Sequence, residues 1–226
     1  MCHESCLDFV KQVLKKEDIE GRSVLEIGSL NVNGSARHYI ESLKPSKYLG
    51  VDIAAGQGVD EICSIYDIVD RYRSESFDVV ISTEVMEHVK NWQKAISNMK
   101  QVVRKEGTIL LTTRSAGFAY HGWPYDFWRY ELSDISTIFS DFDIQFLEND
   151  SLMPGILMKA IKPKKYKELN LSDFKLYSIV GNKRALKISR IDYFLNFYRI
   201  MPWVIKEKSR SLLPQNIKDV IKKLIK

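Results

Sequence analysis

Between residues 23 and 113 the chain alternates short aliphatic, β-branched runs with polar stretches of helical spacing, and this alternation restricts the fold more than any other feature. SVLEIG (23–28), KYLGVDI (47–53), VDEIC (59–63), FDVVIST (77–83) and GTILLTT (107–113) read as strands. Gly34 to Lys44, stopped by Pro45, and NWQKAISNMKQVVRK (91–105), closed by Gly107, read as helices. Strands joined through helices form a mainly parallel sheet with helices on both faces. FDIQFLE (142–148) and GILMKAI (155–161) add an antiparallel pair at the sheet edge, making seven strands, and residues 5–18 read as a leading helix. The KPKKYK stretch (162–167) marks a boundary, so the expected organisation is one domain over 1–161 and an extension over 162–226.

Charge separates the same two parts. Residues 162–226 hold 17 of the 34 Lys/Arg but 5 of the 29 Asp/Glu, a net of +12, which leaves 17 basic against 24 acidic residues, a net of −7, in 1–161. An acidic body with a basic extension implies that the two face different partners. No apolar run reaches the ~20 residues of a membrane span. MCHESCLDFV has neither a basic nor an apolar signal region, and three cysteines are too few for a disulfide framework. The expected location is therefore the cytoplasm. Cys2, His3 and Cys6 lie close together but lack a second ligand pair of matching spacing, so no metal site is expected from the sequence.

Ligands of an open parallel sheet bind beyond the carboxyl ends of its strands. The first strand ends as Glu26-Ile27-Gly28, and Gly34 opens the following helix. Glycines there permit a tight turn and a close approach of backbone to ligand. A carboxylate at Glu26 would repel the pyrophosphate of a dinucleotide, whereas S-adenosylmethionine (SAM) has no phosphate and carries a sulfonium and an ammonium group. Asp52 ends the second strand 24 residues after Gly28, a position suited to accepting hydrogen bonds from ribose hydroxyls.

VLEIGSLNVNGSARHYI, YLGVDIAAGQGVDEI, FDVVISTEVMEHV and VVRKEGTILLTT together resemble, in order, the successive motifs of the type-11 group of class I SAM-dependent methyltransferases. The resemblance implies a Rossmann-like α/β fold, SAM as methyl donor and S-adenosylhomocysteine as product. It implies that Glu26, Gly28 and Gly34, with Ser29 beside them, form the SAM loop, and that Asp52, with Ile53, holds the ribose. By the same resemblance Cys63 and Ser64 flank the adenine, and Thr83 and Glu84 lie beside the methionine moiety. Leu30 stands where that group usually has a third glycine, and Cys63-Ser64 where it usually has an aspartate.

After the fifth strand, RSAGFAYHGWPYDFWRYELSD (114–134) sets Phe118, Tyr120, Trp123, Tyr125, Phe127, Trp128 and Tyr130 around His121, Asp126 and Arg129. Aromatic faces with a few polar groups suit a sugar ring or another flat acceptor. Methyl transfer to a hydroxyl benefits from a general base, for which His121 is the first candidate. Asp126 is its orienter or a second candidate, and Arg129 a clamp for an anionic group or the partner of Asp126. His88 reads as ordering its loop. The H-x-x-P-x-D-F-W-R-Y pattern resembles a subset of these enzymes that modify glycans and natural products. No Asn-Pro-Pro-Tyr follows the fourth strand, which argues against base or amide N-methylation.

The expected acceptor is a small molecule, glycan or lipid-linked saccharide. The alternatives are a silent SAM-fold adaptor and an RNA 2′-hydroxyl methyltransferase, though the acidic body makes nucleic acid a poor partner. In the extension, 190–205 is aromatic and apolar. From Pro214 on, Ile217, Val220, Ile221, Leu224 and Ile225 share one helix face opposite Lys218, Lys222, Lys223 and Lys226. This reads as a basic amphipathic helix with three candidate partners: the inner membrane surface, the chain's own body, or a second subunit.

Overall fold

The computed structural model describes residues 3–122 and 125–212. In chain order its strands are β1 (Ser23–Ile27), β2 (Lys47–Asp52), β3 (Glu61–Ile62), β4 (Phe77–Thr83), β5 (Val103–Arg114), β6 (Trp128–Arg129), β7 (Asp143–Asn149), β8 (Gly155–Ile161), β9 (Leu176–Ser178) and β10 (Lys183–Ala185). The helices are α1 (Glu4–Val13), α2 (Lys16–Ile19), α3 (Arg37–Ser42), α4 (Ile68–Tyr72), α5 (Trp92–Val102), α6 (Leu132–Ile138) and α7 (Arg190–Leu212).

Seven strands form one sheet in the order β3-β2-β1-β4-β5-β8-β7. Strands β3, β2, β1, β4 and β5 are parallel, while β8 runs antiparallel to both its neighbours. The edge pair is therefore not simply appended: the later strand β8 inserts between β5 and the earlier β7. Order reverses between β1 and β4, which opens a crevice at their carboxyl ends.

Alternate residues of the central strands supply two cores. Leu25 and Val80 pack with Ile96 and Met99 of α5 on one face, and Val24, Val79 and Ile81 pack with Phe9 and Val10 of α1 on the other. Burial on both faces explains why FDVVIST is an unbroken apolar run. Helix α5 follows from its sequence: Asn91 caps it by accepting from the Lys94 amide at 3.3 Å, and Trp92, Ala95, Ile96, Met99 and Val102 share the buried face.

The structure departs from the sequence reading in several places. The leading helix breaks at Leu14, whose extended backbone lets its side chain enter the second core. Helices α4 and α6, each under two turns long or close to it, carry too little periodicity to be read. The extension does not begin as a helix. Residues 177 and 178 pair with β6 and residues 183–185 with β9, giving a second sheet in the order β10-β9-β6. Leu176 and Val180 join the main core, so this stretch is held by burial as well as by strand pairing. Helix α7 starts where Ser189 and Asp192 bond reciprocally, the Ser189 amide donating to Asp192 Oδ2 at 2.8 Å and the Asp192 amide to Ser189 Oγ at 3.1 Å. The Lys-rich face expected after Pro214 lies outside the described residues, as does Trp123.

Candidate active site

The crevice between β1 and β4 contains a cavity of about 270 Å³. Gly28 and Leu30 form its wall from the loop after β1, and Asp52 and Ile53 from the end of β2. Cys63, Ser64 and Tyr66 close a third side, and Glu84, Val85 and His88 a fourth. Of the residues expected to hold the cofactor, Gly28, Asp52, Ile53, Cys63, Ser64 and Glu84 thus meet around one space.

Loop geometry fixes these positions. Gly28 has φ +79°, and a Cβ there would lie 2.1 Å from Val85 Cγ2, so only glycine fits. Its amide and that of Ser29 donate to the Val51 carbonyl at 2.8 and 3.1 Å, which ties the loop to β2. Asp52 accepts from the Leu30 amide at 3.2 Å and the Ala54 amide at 3.0 Å. The carboxylate therefore shapes the loop as well as facing the cavity. Leu30 at the third-glycine position is accommodated from across the gap: its Cδ1 lies 2.3 Å from where a Cβ of Gly56 would be. Gly58, at φ +89°, passes so close to Ser29 O that a Cβ would sit 2.5 Å away. The room missing from the first loop is supplied by glycines of the second.

Four expected cofactor residues stand off the cavity wall. Gly34 and Thr83 shape the ends of their elements, Gly34 by donating its amide to Asn31 Oδ1 at 3.0 Å. Ser29 is buried, with its hydroxyl unpartnered. Glu26 is the substantive correction. Its side chain points to the α3 side of the sheet, where the Tyr48 hydroxyl donates to it and Arg37 stacks 4.8 Å above the Tyr48 ring. Burial raises its carboxyl to about 6, against the Tyr48 hydrogen bond and the Arg37 charge. Period-two alternation along β1 decides this: Ile27 faces the cavity, so Glu26 faces away.

Glu84 reaches inward. It sits at φ +57°, accepts from Thr112 Oγ1 at 2.9 Å and pairs with Arg114. Burial, with Glu87 beside it, pushes its carboxyl up despite Arg114.

The aromatic segment divides. Phe127, Trp128 and Tyr130 are buried in the main core, so they are not acceptor-facing rings, whereas Tyr125 is exposed. Arg129 is also interior. Its guanidinium forks onto Asp126 at 2.6 and 2.8 Å and donates to the carbonyls of Phe118, Ala119 and Trp128, which leaves nothing for a substrate. Burial pushes the Asp126 carboxyl up, but Arg129 and His121 outweigh it and hold it below the usual range. Asp126 accepts from the His121 amide at 2.7 Å and faces His121 Nδ1 at 3.1 Å. It is a positioning residue.

His121 packs edge-on against His88, ring centres 4.7 Å apart, and His88 lines the cavity. Between them lies Glu87, fully buried, with Oε2 accepting from Thr113 Oγ1 at 2.9 Å and Oε1 unpartnered. The family resemblance puts the 83–88 segment beside the methionine moiety, where His88 read as ordering its loop; only the fold brings Glu87 and His88 to His121.

A family model for a methyltransferase domain matches residues 2–150. The chain belongs to this methyltransferase family. Among solved structures it is similar to a SAM-dependent methyltransferase from Mesorhizobium loti (TM-score 0.53, 14% identity, 70% of this chain and 97% of that one). It is also similar to a phosphoethanolamine N-methyltransferase from Haemonchus contortus solved with SAM (TM-score 0.53, 16% identity, 70% and 52%). A third is the CurJ carbon methyltransferase (TM-score 0.51, 16% identity, 69% and 51%). A search of curated proteins gives no match. At these identities the likeness shows the fold, that of SAM-dependent methyltransferases, and the fold serves nitrogen and carbon acceptors alike.

Proposed function

We propose that this methyltransferase uses SAM to methylate a hydroxyl of a glycan, lipid-linked saccharide or other small molecule. The donor would occupy the cavity, with its ribose at Asp52 and its adenine beside Cys63 and Ser64. The observation that supports a hydroxyl acceptor is the His88–Glu87–His121 cluster at the cavity's edge, where a carboxylate oxygen and two imidazoles face one point. An alcohol is a poor nucleophile until its proton is taken, and a cluster of bases next to the donor meets that need. His121, whose backbone amide is held by Asp126 and through it by Arg129, is the proposed proton acceptor. The C–O bond forms as the C–S bond breaks, and the electron pair of that bond leaves on sulfur.

The test supplies methyl-labelled SAM with lipid and glycan extracts. Label in an alkali-stable methyl ether, reduced at least about tenfold by His121→Ala, is the expected result. Label on an amine or carbon would overturn the hydroxyl assignment. Calorimetry with S-adenosylhomocysteine separates this reading from a silent adaptor, which would show no saturable binding.

A second feature supports a membrane-borne acceptor. Helix α7 turns Asp192, Asn196 and Ile200 to the body and leaves Ile191, Phe194, Leu195 and Tyr198 each at least 60% exposed. No helix among the described residues is long and apolar enough to cross a membrane. An outward apolar face on a segment of high positive charge suits the surface of an anionic bilayer. The full chain should sediment with phosphatidylglycerol vesicles and not with phosphatidylcholine vesicles, and Phe194→Ser with Leu195→Ser should release it. Equal recovery with both vesicle types would defeat the proposal.

A further inference from the structure

A carboxylate oxygen and two imidazole nitrogens converge beside the cavity. Glu87 Oε1 lies 3.9 Å from His88 Nε2 and 3.9 Å from His121 Nε2, and all three atoms fall within 4.8 Å of one another. His88 Nδ1 is 2.7 Å from the Tyr125 carbonyl, which can only accept, so that nitrogen carries the hydrogen and, in the neutral ring, Nε2 keeps its lone pair. His121 Nδ1 lies 3.1 Å from Asp126 Oδ2 without a hydrogen bond to it. Glu87 Oε1 is buried and has no hydrogen-bond partner. A buried carboxylate oxygen without a hydrogen-bond partner, facing two imidazole nitrogens, is satisfied by a cation among them, a metal ion or the proton of an imidazolium.

We propose that Glu87, His88 and His121 bind a divalent transition-metal ion, of the class of zinc, manganese or iron(II). Bonds of about 2.1 Å at tetrahedral angles put ligand atoms about 3.4 Å apart. The Glu87 separations of 3.9 Å exceed that by about half an ångström, so binding draws the carboxylate and both rings inward. Behind the ligands the His88 ring is steered by a backbone carbonyl, as in metal sites, and Asp126 holds the His121 backbone amide at 2.7 Å. Gly122, at φ +65°, brings the chain so close that a Cβ would lie 2.9 Å from His88 Cε1, which holds that ring in place. Three protein ligands leave a position open, as catalytic sites do and structural sites do not.

What the ion does rests on the hydroxyl-methylation reading; that it binds does not. The open position would take the acceptor oxygen and lower its pKa, so the hydroxyl proton leaves to water and the oxyanion attacks the methyl carbon. In that state His121 holds the ion in place of the proton.

The test uses the full chain, freed of metal by a chelator and titrated with cobalt(II), whose visible absorption reports nitrogen ligation and low coordination number. One equivalent should bind with a new visible band. His88→Ala and His121→Ala should each weaken binding at least about tenfold, a loss on the scale seen when even outer-shell support is removed. Far-ultraviolet circular dichroism shows that each variant is folded, and S-adenosylhomocysteine affinity of the wild-type chain tests the donor site independently. If S-adenosylhomocysteine binds but cobalt gives no band, or gives one that neither substitution weakens, the metal site is refuted while the methyltransferase reading stands. If S-adenosylhomocysteine fails to bind the wild-type chain while cobalt binds, the reverse holds.

Discussion

Gly28 and Val85 meet across the carboxyl ends of β1 and β4 so closely that a Cβ on Gly28 would lie 2.1 Å from Val85 Cγ2. A β-branched side chain has little freedom to move aside, and at φ +79° any other residue strains the backbone as well. Gly28→Ala is therefore expected to weaken S-adenosylhomocysteine binding by at least about tenfold, while far-ultraviolet circular dichroism stays near wild type. Unchanged affinity by calorimetry would show that the loop is not a donor contact. Adding Val85→Ala removes the clash but not the positive φ, so recovery should be partial.

Asp52 is asked to do two things with one carboxylate. Both oxygens accept backbone amides, from Leu30 and Ala54, and the group also borders the cavity. Asp52→Asn keeps the shape but replaces one acceptor oxygen with a donor. Donor affinity should fall by about tenfold, in line with a lost charge-assisted hydrogen bond of about 1.5–3 kcal/mol. Free adenine, which has no ribose to lose, should bind wild type and variant alike.

Glu26 carries a pH signature. Its carboxyl stands at about 6 in the folded chain against 4.5 for the ordinary group. The folded state therefore binds the proton more tightly than the unfolded state. Its contribution is greatest below pH 4.5 and is lost as pH rises through about 6. A shift of this size corresponds to about 2 kcal/mol. Glu26→Gln does not titrate, so urea unfolding should show the gap between the two proteins moving by that amount in the variant's favour across this interval. A gap independent of pH would place Glu26 in a solvated setting.

Arg129 holds Asp126 by both oxygens in the interior. Removing one partner of such a pair leaves a buried, unmatched charge, so Arg129→Ala should cost about 3–5 kcal/mol of stability. Urea denaturation would register it. A loss under 1 kcal/mol by the same measurement would mean that water reaches Asp126 readily.

The parallel sheet was legible because its strands are buried on both faces and so read as unbroken apolar runs between helical stretches. Gly28 and Asp52 were legible because a ligand site at strand ends is tied to fixed points along the chain, while Cys63 and Ser64 followed from the family resemblance alone. The short helices α4 and α6 and the pairing of β9 with β6 were not, since each depends on burial more than on local pattern.

The sequence by itself determined the sheet, the family and most of the residues that line the cavity, because strand ends and turns are local and their spacing carries the geometry. Only the tertiary structure decided which side of β1 Glu26 occupies, that Arg129 serves Asp126 and not a substrate, and that Glu87 and His88 meet His121. Side-chain direction at a strand end depends on register, and a converging cluster depends on distances that close only when the chain folds. The loop at Gly28 shows both: its glycine could be read from the chain, but the reason no other residue fits is Val85, which arrives from another strand.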